Sequence, residues 1–236
     1  VSGLHVSILF SLVYLFSGRK RVLLFLLGTP VLFLFAAITG FTPSVTRACI
    51  MQFLVLLALL CDREYDPPTA LAFAVLVMLM VNPMTIISVS FQLSVGCMIG
   101  IFLFCRRIHD WFLAPNRLGS AKGKGVIPRL KRWFVNSVSV SLSASVVTTP
   151  LVAYYFGTIS LVSLLTNLMV VWVVSFIFYG IMFVCVISLF SIAASQCTAW
   201  FVSLLIRYVT GTAKILSHFP LAAVYTQSVY IVIWLI

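Results

Sequence analysis

Nine apolar runs follow one another along the 236 residues with little polar sequence between them: Val1–Phe16, Val22–Thr39, Ser44–Leu60, Thr69–Val81, Thr85–Phe104, Trp133–Phe156, Ser160–Phe190, Thr198–Leu216 and Ala222–Ile236. A helix crosses the hydrocarbon core of a bilayer with about 20 apolar residues, so most of these runs have the length of a spanning helix. No water reaches that core, and a spanning segment must satisfy its own backbone hydrogen bonds, which leaves helices and closed β-barrels. Barrel strands alternate apolar and polar residues over short segments, whereas these runs are continuously apolar. The expected fold is an all-α, polytopic membrane bundle of about eight or nine segments. Composition agrees, since 63% of the residues are hydrophobic and 8% charged, against roughly 25% charged in soluble domains.

Some segments depart from the simple pattern. Ser160–Phe190 is too long for one perpendicular span and calls for tilt or an added interfacial helix. Thr69–Val81 is short and is broken by Asn82-Pro83, so Met84–Phe91 reads as a re-entrant or interfacial piece. In "NSVSVSLSASVV" serine recurs at a strand-like period of two, yet a lone strand leaves its backbone unsatisfied in lipid. On a helix, Ser137, Ser141 and Ser145 form one stripe, with Ser139 and Ser143 nearly opposite. Small residues on two sides suit close packing between neighbouring helices; a water-filled path along one stripe is the other reading.

Fifteen Lys and Arg stand against four acids, for a net charge of +11. Basic residues collect in the cytoplasmic loops of membrane proteins. Taking every run as a crossing, the loops after the first, third and fifth runs hold three, one and eight basic residues, and those after the second and fourth hold one and none. That rhythm places the amino end outside. The stretch Cys105–Arg132, "CRRIHDWFLAPNRLGSAKGKGVIPRLKR", carries eight of the basic residues against Asp110. Its centre is linker-like, and its flanks suit an anionic lipid surface on the cytoplasmic side. An anionic substrate is a second source of selection for such an excess.

Ionisable, amide and helix-breaking residues in an apolar frame are functional candidates. His5 heads the first run, two residues after Gly3. Arg47 lies about one turn inside a helix that Thr42 and Pro43 start; it reads either as a contact for anions at a helix amino end or as an arginine snorkelling to headgroups. Asp66 before two prolines is a helix cap, and Arg63 three residues earlier is placed to pair with it. Gln92 and Ser94 open the fifth run, where bonds between helices are the simple explanation. Pro83 ends one helix, Pro150 breaks or kinks another, and Asn167 sits within the next run.

No catalytic constellation emerges. His5, His109 and His218 are far apart, carboxylates are few, and H-E-x-x-H, P-loop and glycine-rich phosphate patterns do not occur. The six cysteines show no C-x-x-C spacing and read as small packing residues. Neither metal nor cofactor is expected. The chain starts at Val1 without Met and stops inside an apolar run, which reads as a piece of a longer protein.

Taken in order, "SGLHVSIL", "TRACIM", "DREYDPPTALAFAVLVMLMVNP", "SFQLSVGCMIGI" and "TTPLVAYYFGTISLVSLLTNLMV" resemble the membrane domain of ComEC-type competence proteins. The resemblance implies a channel domain over residues 1–236 that passes single-stranded DNA across the bacterial cytoplasmic membrane during transformation, with residues 105–132 as a basic cytoplasmic loop. It also implies flanking domains outside this chain, OB-like before and metallo-β-lactamase-like after, so nuclease chemistry is not expected here. Implied partners are single-stranded DNA, lipid, the flanking domains, and cytoplasmic DNA-handling proteins or a motor at the 105–132 loop. Matching motif positions carries over Gly3, His5, Arg47, Arg63, Asp66, Pro83, Gln92, Ser94, Pro150 and Asn167, without individual roles. The rival expectation is a secondary transporter for a small anion, which the shortage of membrane carboxylates for ion coupling weakens.

Overall fold

The computed structural model describes residues 3–18, 20–113, 126–159, 162–217 and 224–225. They form eight α-helices: α1 (Gly3–Phe16), α2 (Arg21–Ile38), α3 (Pro43–Leu60), α4 (Pro67–Val81), α5 (Val89–Leu113), α6 (Val126–Phe156), α7 (Ser163–Ser188) and α8 (Ile192–Ser217), with a 3-10 helix at Pro83–Ile87 between α4 and α5. Six of the eight, α2, α3 and α5 to α8, contain a stretch long and apolar enough to cross a membrane. At 15 residues, α4 is about 22 Å long and falls short of the hydrocarbon thickness of about 30 Å. The expected polytopic helical membrane bundle is what the chain forms.

Local chemistry explains most boundaries. Asp66 caps α4, its carboxylate accepting from the Thr69 N–H at 3.1 Å and from the Thr69 hydroxyl. Asn82 Oδ1 accepts from the Met84 N–H at 3.1 Å, turning Met84 and its neighbours into the 3-10 helix where a re-entrant piece was expected. Ser88 Oγ then accepts the Phe91 N–H at the start of α5. At α3, Pro43 occupies the first turn, but Thr42 makes no side-chain cap bond.

The bounds of the basic stretch need correction. Helix α5 continues past Phe104 to Leu113, and α6 opens at Val126, so the basic stretch is helical at both flanks. Long basic side chains let a helix emerge from the apolar layer without giving up its backbone bonds; residues 114–125 lie outside the described residues. Pro150 lies inside α6, which ends at Phe156 where the sixth apolar run ends. Ser145 and Thr148 hydroxyls donate to the carbonyls of Ser141 and Ala144, four residues back along the same helix. The helix stops at Gly157, whose φ of +64 is a conformation glycine adopts without a Cβ penalty. The long run becomes a single helix, α7, of 26 residues, about 39 Å. Of the ninth run only Val224–Tyr225 falls among the described residues, and it is extended, pairing antiparallel as β2 with β1, Thr158–Ile159.

The chain divides into two compact units. One holds Val1–Ser94 and Ser175–Gln196, the other Val95–Val174 and Cys197–Ile236. In the first, α2 buries every fourth residue, Leu24, Gly28, Leu32 and Ala36, against Val45, Cys49 and Leu56 of α3 and Val6 of α1. A Cβ at Gly28 would lie 2.9 Å from Leu56 Cδ1. Leu26, Phe33, Leu34 and Ile38 of α2 face outward, which suits lipid because acyl chains solvate them as well as a core does. In the second unit α5 and α6 touch through Gly96 and Gly100. A Cβ on Gly100 would sit 2.5 Å from the Ser143 carbonyl oxygen, and one on Gly96 3.1 Å from Leu151 Cδ1.

Candidate functional site

The first unit gathers four of the singled-out residues at one helix contact. Arg47, on the buried side of α3, is only 8% exposed. Its Nε donates to Ser94 Oγ at 2.8 Å, its Nη1 lies 3.6 Å from Met51 Sδ, and Ser94 Oγ is 3.3 Å from Ser44 Oγ. Gly3 faces the same place: a Cβ there would lie 3.4 Å from Ala48 Cβ and 3.7 Å from Arg47 Nη2. Helix α1 thus approaches the arginine closely because Gly3 has no side chain. His5, two residues on, packs edge-on against Phe178 with ring centroids 5.4 Å apart. Arg47 therefore sits inside the unit, neither at an open mouth nor reaching toward headgroups.

The remaining polar residues of this unit serve its turns. Gln92 Nε2 donates to the Ile86 carbonyl at 2.9 Å, closing the 3-10 helix onto α5. Arg63 is exposed, and Asp66 bonds Thr69 rather than pairing with it. An ion pair at this end, Arg21 Nη1 to Asp62 Oδ1 at 2.6 Å, joins the first residue of α2 to the turn after α3. Burial pushes the Tyr65 phenol above its ordinary pKa; the nearby Arg47 charge opposes that rise and Asp66 reinforces it.

Helix α6 of the second unit has two unlike faces. Ser139 and Ser143 are wholly buried and donate to Val135 O at 2.8 Å and Ser139 O at 2.6 Å, on the face that meets Gly100. Ser137 and Ser141 line a cleft of about 250 Å³ together with Trp133, Asn136, Asn167 and Trp172. Ser139 and Ser143 are packed, and Ser137 and Ser141 of the other stripe border an open cleft. Trp133, Asn136, Ser137 and Ser141 fall within the membrane-length stretch Trp133–Phe156. Ser137 is about 28 Å along α6 from Phe156, yet Asn167 stands in the first turns of α7. The pairing of β1 with β2 supplies backbone partners that lipid does not.

Polar side chains line this cleft beside Val140 and Val171, and none of the described residues that line it is Lys, Arg, His, Asp or Glu. Neither Arg47 nor Arg63 contributes to it. Of the singled-out residues only Asn167 does, while Trp133, Asn136 and Trp172 were not anticipated. An asparagine in the first turn of an apolar run, as at Asn136, carries the same signal as Asn167. The tryptophans give none, because tryptophan at a membrane interface is ordinary. The glycine pair of "GCMIG" was legible as a small-residue helix contact. Among the described residues no group of three or more His, Cys, Asp and Glu comes together as a metal site.

Comparison with known proteins places this geometry. The description "Competence protein" matches residues 1–236. "ComE operon protein 3" of Bacillus subtilis is 27% identical over 177 residues, which cover 72% of this chain and 20% of that protein. "Recombination protein 2" of Haemophilus influenzae is 27% identical over 187 residues, covering 75% of this chain and 23% of that protein. The chain thus spans about a fifth to a quarter of the length of these curated relatives. No solved structure matches it. A membrane bundle whose every residue falls within the family match leaves one assignment: the chain belongs to the competence protein family.

Proposed function

We propose that this chain is the membrane part of a DNA-uptake machine and passes a single DNA strand across the bacterial cytoplasmic membrane, with its amino end outside. Competence is the state in which cells take up DNA, and the two relatives are named for a competence operon and for recombination. The observation that carries the reading is the open face of α6. Asn136, Ser141 and Asn167 line a cleft while the described residues offer their side chains no hydrogen bond. A polar group left unpaired in an apolar layer costs free energy, and water or a polar ligand removes that cost. Arg47 and Ser94 enter the reading as struts of the first unit. Cleavage of DNA belongs to other parts of the machine in this proposal, since acids and histidines are sparse along the chain.

The test is DNA uptake by cells whose own copy of the protein carries Asn136→Ala and Asn167→Ala together. Each lost hydrogen bond is worth about 1 kcal/mol, so two predict a fall in transformation of about tenfold or more, with the amount of protein in the membrane fraction unchanged. Normal transformation with both amides gone removes the cleft from the DNA path.

A further inference from the structure

The geometry points to the cleft of the second unit as a nucleobase site: it holds the bases of the passing strand. This rests on the DNA-passage reading and adds to it which part of the nucleotide is gripped, and where. Phosphate contacts come from Lys and Arg, whose charge replaces released counterions, and among the described residues no charged side chain lines this cleft. What does line it is Trp133 and Trp172, half exposed at 53% and 47%, with Asn136, Ser137, Ser141 and Asn167. Aromatic faces hold successive bases by stacking whatever the sequence, because every base has a π-face. A carboxamide both donates and accepts, so the two asparagines match the mixed donor and acceptor edge that every base presents. Ser137 donates to the Trp133 carbonyl at 3.0 Å, which leaves its oxygen lone pairs facing outward as acceptors.

In a duplex the Watson–Crick edges and both faces of a base are already taken, so only an unpaired strand presents what this cleft grips. Selection for single strands then follows from the site itself, without any discrimination by charge. A small inorganic anion, by contrast, finds no cation among the described lining residues and no use for indole faces.

The test uses the whole protein in membrane vesicles and a short single strand carrying 5-iodouracil, crosslinked by ultraviolet light, with the attachment site mapped by mass spectrometry. Attachment to Trp133 or Trp172 is expected. Unlabelled oligothymidylate should displace the probe at concentrations about tenfold below those needed by an abasic strand of equal length and charge. A wild-type crosslink needs no variant to fold, and Asn136→Ala with Asn167→Ala should lower its yield about tenfold as a second measurement. Equal competition by the abasic strand, or attachment only outside the cleft, overturns the base site and leaves DNA passage standing. Absence of any crosslink, together with no loss of transformation when the gene is removed, overturns both.

Discussion

Arg47 in the first unit and Asn167 in the second are both polar residues in apolar surroundings, but their fates differ. The arginine is enclosed, with Ser94 on its Nε and Ser44 beyond, and Gly3 clears the space for it. The asparagine looks into an open cleft beside other amides and hydroxyls. The lesson is that a polar group in a membrane bundle either joins two helices or marks where lipid is kept away, and residue type does not say which. Helix α6 makes the same point alone: Ser139 and Ser143 seal one face while Ser137 and Ser141, two residues off, line the cleft.

The largest effect tests the sealed side of the second unit. Gly100→Leu drives a side chain into the Ser143 carbonyl, and overpacking of this kind costs about 1–3 kcal/mol or more. The protein should fail to accumulate in membranes, as an immunoblot of the membrane fraction would show; normal levels would mean that α5 and α6 do not meet at Gly100. Next comes a pair of substitutions with opposite expected signs. Ser94→Ala removes a hydrogen bond to a buried charge, worth about 1.5–3 kcal/mol, and should lower the unfolding temperature in detergent. Asn167→Leu removes a polar group that no described residue pairs, and should leave that temperature unchanged or raised while transformation falls. If both variants lose stability alike, the contrast between enclosed and open polar residues collapses.

The smallest effects lie at the exposed turns of the first unit. Asp62→Ala breaks the Arg21 pair, whose partners are 56% and 79% exposed, and should cost no more than about 0.5 kcal/mol. Tyr65 supplies the matching pH test. Its folded-state pKa is raised by burial above the ordinary 10.0, so the folded form holds the phenol proton more tightly than the unfolded form does. Its contribution is therefore complete below pH 10 and is lost as pH rises above it. Alkaline melting curves should show that loss in the wild type and less of it in Tyr65→Phe.

The sequence made much of this legible. Apolar runs located helices α1 to α8, and Asp66 before two prolines named the start of α4, because capping is decided within one turn of chain. Arg47, Ser94, Gln92 and Asn167 were all visible as exceptions to an apolar background. Their sorting was not, since Ser44 and Ser94 are fifty residues apart and only the packing of α3 against α5 makes them neighbours. The extension of α5 to Leu113 was also hidden: a run of basic residues resembles a loop, although the same side chains are tolerated where a helix leaves the apolar layer.

By itself the chain determined that it would be helical and lie in a membrane, because a backbone without water must bond to itself and apolar side chains must find apolar solvent. It also determined where helices begin, through bonds spanning three or four residues. Tertiary structure alone decided which face of α6 is shut and which is open, and that Arg47 belongs to the frame of the first unit. The reason is distance along the chain. Whether a hydroxyl or amide finds a partner depends on residues far away in sequence, and no local pattern records their arrival.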